Sequence, residues 1–167
     1  MIDAAYCRLM ARYNSWMNRQ LYAACAQLSD PQRKAERGAF FGSVHGTLNH
    51  LLYGDTAWLR RFKGQPLDGL HARVEIHADF HALRTARQAL DSELLDWANS
   101  VGQHWLEADF TYYSLLDGAT RTRPAWLLVV HLFNHQTHHR GQLTTLLSQS
   151  GVDFGVTDLP AMMDQAP

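Results

Sequence analysis

Apolar residues recur every third or fourth position over four long stretches of the chain, with polar, Pro-rich or Gly-rich segments between them. The first stretch, from about Ile2 to Leu28, places Tyr6, Leu9, Met10, Tyr13, Trp16, Met17, Leu21 and Cys25 at helical spacing. Ser29-Asp30-Pro31 ends it, because proline cannot donate to the helix ladder and restricts the residue before it. Gln32 to Gly38 reads as loop. The second stretch opens at Ser43, a good N-cap, and runs to about Phe62, where Lys63-Gly64-Gln65-Pro66 closes it. The third, roughly Asp79 to Asn99, carries Phe80, Leu83, Ala86, Leu90, Leu94 and Trp97 on one stripe, with Arg84, Arg87, Asp91 and Glu93 elsewhere. Strand formers in Phe110-Thr111-Tyr112-Tyr113 then predict a short extended segment or hairpin before Gly118. The fourth stretch begins at Pro124, which the first turn of a helix tolerates, and continues to about Ser150, with Gly151 just beyond its end. From Val152 onward there is no periodicity, and the tail is expected to pack along the surface. Four amphipathic blocks in one chain predict an all-α fold, a four-helix bundle in a single domain spanning residues 1–167.

Composition narrows the function. Fifteen Lys and Arg against sixteen Asp and Glu leave a net charge of −1, without the surplus of cations that binding to nucleic acid requires. The longest strongly apolar run, Ala125 to Phe133, is broken by His131 and is far short of the ~20 residues that cross a bilayer. Met1 to Arg8 lacks the basic and apolar regions of a secretory signal. Cys7 and Cys25, on one helix, lie about 27 Å apart at ~1.5 Å per residue and cannot pair. Two reduced thiols fit the cytoplasm, and both are expected in the core.

Ten histidines remain to be explained. His135 and His139 are one helical turn apart in His135-Gln136-Thr137-His138-His139-Arg140-Gly141-Gln142, on a stripe with Leu128, Leu132, Gln142 and Leu146. Arg140 points roughly the opposite way. Two readings of the pair stay open at this point: ligands of a divalent metal, or buried imidazoles hydrogen-bonded to neighbouring helices. A zincin-type peptidase is discounted, because Gln136 stands where the general-base glutamate belongs. The second helix offers a third imidazole, His50, on a stripe with Ser43, Gly46, Thr47, Gly54 and Ala57. Glycines there imply either close helix packing or room for an ion and a substrate. Asp55 and His45 point about 140° away from His50. His131 competes as a third ligand on the fourth helix, but one helix cannot easily wrap three imidazoles around one ion. His71, His77, His81 and His104 fall in or near connections. Asn49, Gln142 and nearby tyrosines are candidate contacts to the ligands or substrate; no residue stands out as catalytic.

The sequence resembles the DinB family (DinB/YfiT-like proteins). The resemblance rests on Ala11 to Asn18, on Gly42 to Leu52 with Asp55, Trp58 and Leu59, on Asn134 to Gln142, and on Thr157-Asp158-Leu159-Pro160. It implies a bundle with a long crossover and a divalent ion, nickel or zinc, held by His50, His135 and His139, the three that helical phase selects. It also implies a homodimer and, in the wider superfamily, transfer or isomerisation of small electrophiles with a low-molecular-weight thiol. The alternative is a non-catalytic, stress-associated protein whose ion is mainly structural. A second apolar side of the fourth helix, Trp126, Val129, Val130 and Phe133, belongs either to the bundle centre or to a subunit contact.

Overall fold

The computed structural model describes residues 1–71, 75–115 and 117–163. Their elements follow in the order α1 (Ala4–Cys25), α2 (Asp30–Lys34), α3 (Val44–Phe62), α4 (Phe80–Ser100), α5 (Gln103–Glu107), β1 (Asp109–Tyr113), β2 (Thr120–Pro124), α6 (Ala125–Gln149) and α7 (Leu159–Met163). The four long helices form the expected bundle. α1 and α3 each pack against both α4 and α6, so the first two long helices stand diagonally and residues 63–79 make the crossover to α4.

Side-chain caps start three of the four long helices; α6 follows Pro124 without one. Asp3 accepts from the Tyr6 amide, Ser43 from Gly46 and Asp79 from Ala82, each satisfying one of the free N–H groups of a first turn. Pro31 acts differently from the expectation. It does not merely stop α1; it sits in the first turn of α2, behind a capping box in which Ser29 and Gln32 exchange hydrogen bonds. Two other short helices also went unpredicted: α5, just before the expected extended segment, and α7 in the tail. Each is five residues long, too short for periodicity to identify. The hairpin is as expected, with β1 and β2 antiparallel and Phe110 opposite Arg123.

Buried residues on α1 recur as Cys7, Ala11, Asn14, Asn18, Leu21 and Cys25, a heptad spacing facing the bundle axis. α6 contributes Val129, Phe133, Gln136, Arg140, Leu143 and Leu147. This is the second apolar side of α6: the chain's own core covers Val129 and Phe133, while Trp126 and Val130 are half-buried. The imidazole stripe therefore lies on the flank of α6 that meets α3, and the bundle centre is on the opposite flank.

That centre is partly ionic. The Arg87 guanidinium meets Asp55 at 2.6 Å and Asp91 at 2.8 Å. Asn14 and Asn18 donate to Asp91 at 3.0 and 2.9 Å, and Arg140 donates to Asn14 at 2.6 Å. All six residues are buried, and they join all four long helices. The placement of Arg87 and Asp91 off the buried stripe is thus corrected. Leu83, Arg87, Leu90, Asp91 and Leu94 share one helical face, and their charges are matched inside the core. Burial opposes the Arg87 charge, but the two aspartates outweigh it and hold the guanidinium more firmly protonated than usual.

Candidate metal centre

His50 on α3 and His135 and His139 on α6 bring their Nε2 atoms together. The separations are 3.1 Å for His50–His135, 3.1 Å for His50–His139 and 3.0 Å for His135–His139. Hydrogen bonding cannot satisfy such a triangle. Each neutral imidazole carries one proton, so three mutually facing nitrogens leave either lone pair against lone pair or proton against proton. A cation resolves the conflict. Three nitrogens each ~2.0–2.1 Å from one metal ion lie about 3 Å apart. The group could therefore hold a metal ion.

The surroundings favour the unprotonated form that a metal ligand needs. Burial, reinforced by the neighbouring imidazoles, pushes His50 down to about 4 and His135 down to about 3. Burial lowers His139 as well, against a hydrogen bond to Gln142 that raises it. That bond joins His139 Nδ1 to Gln142 Oε1 at 2.8 Å. Because an amide oxygen only accepts, Nδ1 must carry the proton, and Nε2 then faces its partners as a lone pair.

Packing holds the other two rings. His50 stacks on Phe41, with centroids 3.8 Å apart and planes at 17°. Phe41 also meets His139 edge-on at 5.4 Å. The two helical glycines now have separate reasons. A Cβ on Gly54 would come within 2.8 Å of the His135 ring, so this glycine lets α3 and the imidazole approach. A Cβ on Gly46 would meet the Phe41 carbonyl oxygen at 2.2 Å, so that glycine admits the turn carrying Phe41. Neither leaves spare room.

The remaining candidates separate clearly. His131 lies outside the triangle; its ring is 5.9 Å from that of His135 and meets Trp58 edge-on at 5.2 Å. His138 is exposed and reaches Gln142 at 3.3 Å. His71, His81 and His104 are exposed, while His77 is half-buried. His45 is buried, bound through Nε2 to the His77 carbonyl at 2.8 Å and to Glu75 at 2.7 Å. Asn49, a candidate contact to ligand or substrate, instead anchors the crossover: its Oδ1 accepts from the Ile76 and His77 amides and its Nδ2 donates to the His77 carbonyl. Asp55 belongs to the ionic core. Sequence reasoning passed over Phe41, whose role arises from a turn folding onto a helix nine positions further on. Its only sequence signal was its place just before the Gly42-Ser43 start of α3.

The known proteins that this chain resembles agree with this architecture. It is 26% identical to Protein DinB of Bacillus subtilis (strain 168) over 156 residues, 87% of either chain. It superposes on the crystal structure of a DinB-like protein from Bacillus cereus ATCC 10987 with a TM-score of 0.62, covering 84% of this chain and 89% of that one at 16% identity. The DinB family model matches residues 1–167 from end to end, and the chain belongs to the DinB family.

Proposed function

We propose that His50, His135 and His139 bind a divalent metal ion through Nε2 and that the chain is a metal-dependent enzyme acting on a small molecule. The observation that carries this reading is the triangle of Nε2 atoms at 3.0–3.1 Å, with the proton of His139 fixed on its far nitrogen by Gln142. Three neutral imidazoles suit zinc or nickel. Structural zinc sites usually close with four protein ligands, whereas catalytic ones keep three and leave a position open. Among the described residues, only these three histidines form such a group. An ion so held lowers the pKa of a bound thiol or water and supplies a nucleophile at neutral pH.

The chain's own residues have definable parts in this reading. Gln142 keeps His139 in the ligating tautomer, Phe41 fixes the plane of His50, and Gly54 lets His135 reach α3. Tyr53, whose ring is 6.3 Å from that of His50, is the tyrosine offered as a substrate contact. The proposed reaction is transfer of a low-molecular-weight thiol to a small electrophile, or a thiol-dependent isomerisation. Homodimerisation belongs to the same family-based reading, and multi-angle light scattering checks it.

The test is elemental analysis of untagged protein beside a His135→Ala variant. Close to one equivalent of zinc or nickel is expected in the first and almost none in the second. Equal metal in both overturns the proposal. Metal that raises the unfolding temperature but binds no thiol, and supports no turnover with a panel of thiols and electrophiles, would favour the structural alternative.

A further inference from the structure

Arg61 lies eleven positions after His50 on α3, which returns it to within about 20° of the same helical face at ~100° per residue. The axial distance between them is about 16 Å at ~1.5 Å per residue. Its guanidinium carbon sits 4.8 Å over the Trp58 ring and 5.7 Å from that of Tyr112 on β1. Nε and Nη2 both donate to the Tyr113 carbonyl, at 3.3 and 3.2 Å. The side chain is thus half-buried and held by two rings and a carbonyl. Among the described residues, no carboxylate pairs with it, and Nη1 makes no hydrogen bond. Lys63 is matched by Glu93 and Arg121 by Asp117; Arg60 and Arg123 donate only to the Asp68 and Thr122 carbonyls, and Arg61 differs from them in being held over two rings. Burial lowers its pKa, and the only groups opposing that are Tyr53 and Tyr112.

One chain of ring contacts connects this guanidinium to the imidazoles. It runs from His135 to His131 at 5.9 Å, from His131 to Trp58 at 5.2 Å, and from Trp58 to Arg61 at 4.8 Å. His131 and Trp58 therefore lie between the triangle and Arg61.

We infer that Arg61 is an anion-binding site for the far end of the substrate, which is an elongated small molecule with a metal-ligating group at one end and a carboxylate at the other. This rests on the metal reading above. A guanidinium offers donors in a fixed fork that matches a carboxylate, and Trp58 and Tyr112 orient that fork before a ligand arrives. Arg61 would select among thiols by charge and by length.

A ruler of ω-mercaptocarboxylates, from three to about eleven carbons, tests this against ω-mercaptoalcohols of equal length. Binding to cobalt-substituted protein is followed by the thiolate-to-cobalt charge-transfer absorption. The acid should bind about tenfold more tightly than the alcohol at the longer lengths and no more tightly at three carbons. Arg61→Gln should abolish the preference without weakening the alcohols, and Arg61→Lys should restore part of it. A preference that is independent of length, or unchanged in Arg61→Gln, overturns the inference while the metal reading stands. If no thiol gives the absorption, the metal–thiol reading fails. Calorimetry of decanoate with metal-free protein then decides the anion site alone: Arg61→Gln should weaken binding at least fivefold, and equal affinity overturns the inference.

Discussion

His50 and Asp55 are five residues apart on α3, and His139 and Arg140 are adjacent on α6. One member of each pair joins the imidazole triangle and the other joins the buried ionic network. The network joins unlike groups. Arg87 meets two aspartates, asparagines from α1 donate to Asp91, and Arg140 donates to Asn14, so two cations and two anions share one buried cluster. The triangle is the reverse: three groups of the same kind with their Nε2 atoms facing one another, and no proton arrangement satisfies all three pairs. Balanced polarity inside a bundle specifies how its helices pack. Unbalanced polarity of this kind is what a bound metal ion would resolve.

Breaking the network should have the largest effect. Arg87→Met leaves two carboxylates buried without their cation and should cost about 3–5 kcal/mol of stability, measured by urea unfolding. Replacing Asp55, Arg87 and Asp91 together with Leu, Met and Leu should recover most of that loss. A cost below about 1 kcal/mol for the single variant would show that the ionic account of the core is wrong. His139→Ala should behave oppositely. It should abolish metal binding while leaving metal-free stability within about 1 kcal/mol, since it relieves a crowded triangle. A large loss in the metal-free protein would make the triangle a structural element like the network.

Gln142→Leu probes the one ligand whose tautomer is set by a side chain, and metal affinity should fall about 10- to 100-fold with the fold unchanged. The smallest effect concerns the thiols, which belong to neither cluster. Burial, with Asp3 adding to it, pushes Cys7 up to about 11, and burial pushes Cys25 up to about 12. In the unfolded chain they ionise near 9, so above that pH the folded state holds the extra protons. Their contribution to stability is therefore full below pH 9 and is lost as pH rises towards 12. A Cys7→Ala, Cys25→Ala pair should flatten this alkaline decline, and both native thiols should resist alkylation until the protein unfolds.

Helical phase made the triangle legible: His135 and His139 are one turn apart, and His50 faces them from a stripe of small residues. The same phase also contained the network, and there chemistry misled. Arg87 and Asp91 continue the spacing of Leu83, Leu90 and Leu94, but their charge set them off the apolar stripe. Arg140 was placed correctly, opposite His135, although that side proved to be the bundle centre and not the exterior. The role of Asn49 could not be read locally, since its partners Ile76 and His77 lie across the crossover, 27 and 28 positions away. The setting of Arg61 likewise depends on how β1 folds back over α3.

The triangle also has a consequence for how the molecule assembles. His50 is separated from its partners on α6 by 85 and 89 positions, with α4, α5 and the hairpin in between. Contacts of that range carry a large loop-closure entropy and form late, once the intervening segments are nearly in place. The centre needs α3 and α6 side by side, so an ion bound there would report that these two helices have docked. An ion held there also ties a loop about as long as those closed by the most stabilising disulfides, in a chain whose two cysteines are too far apart to supply one.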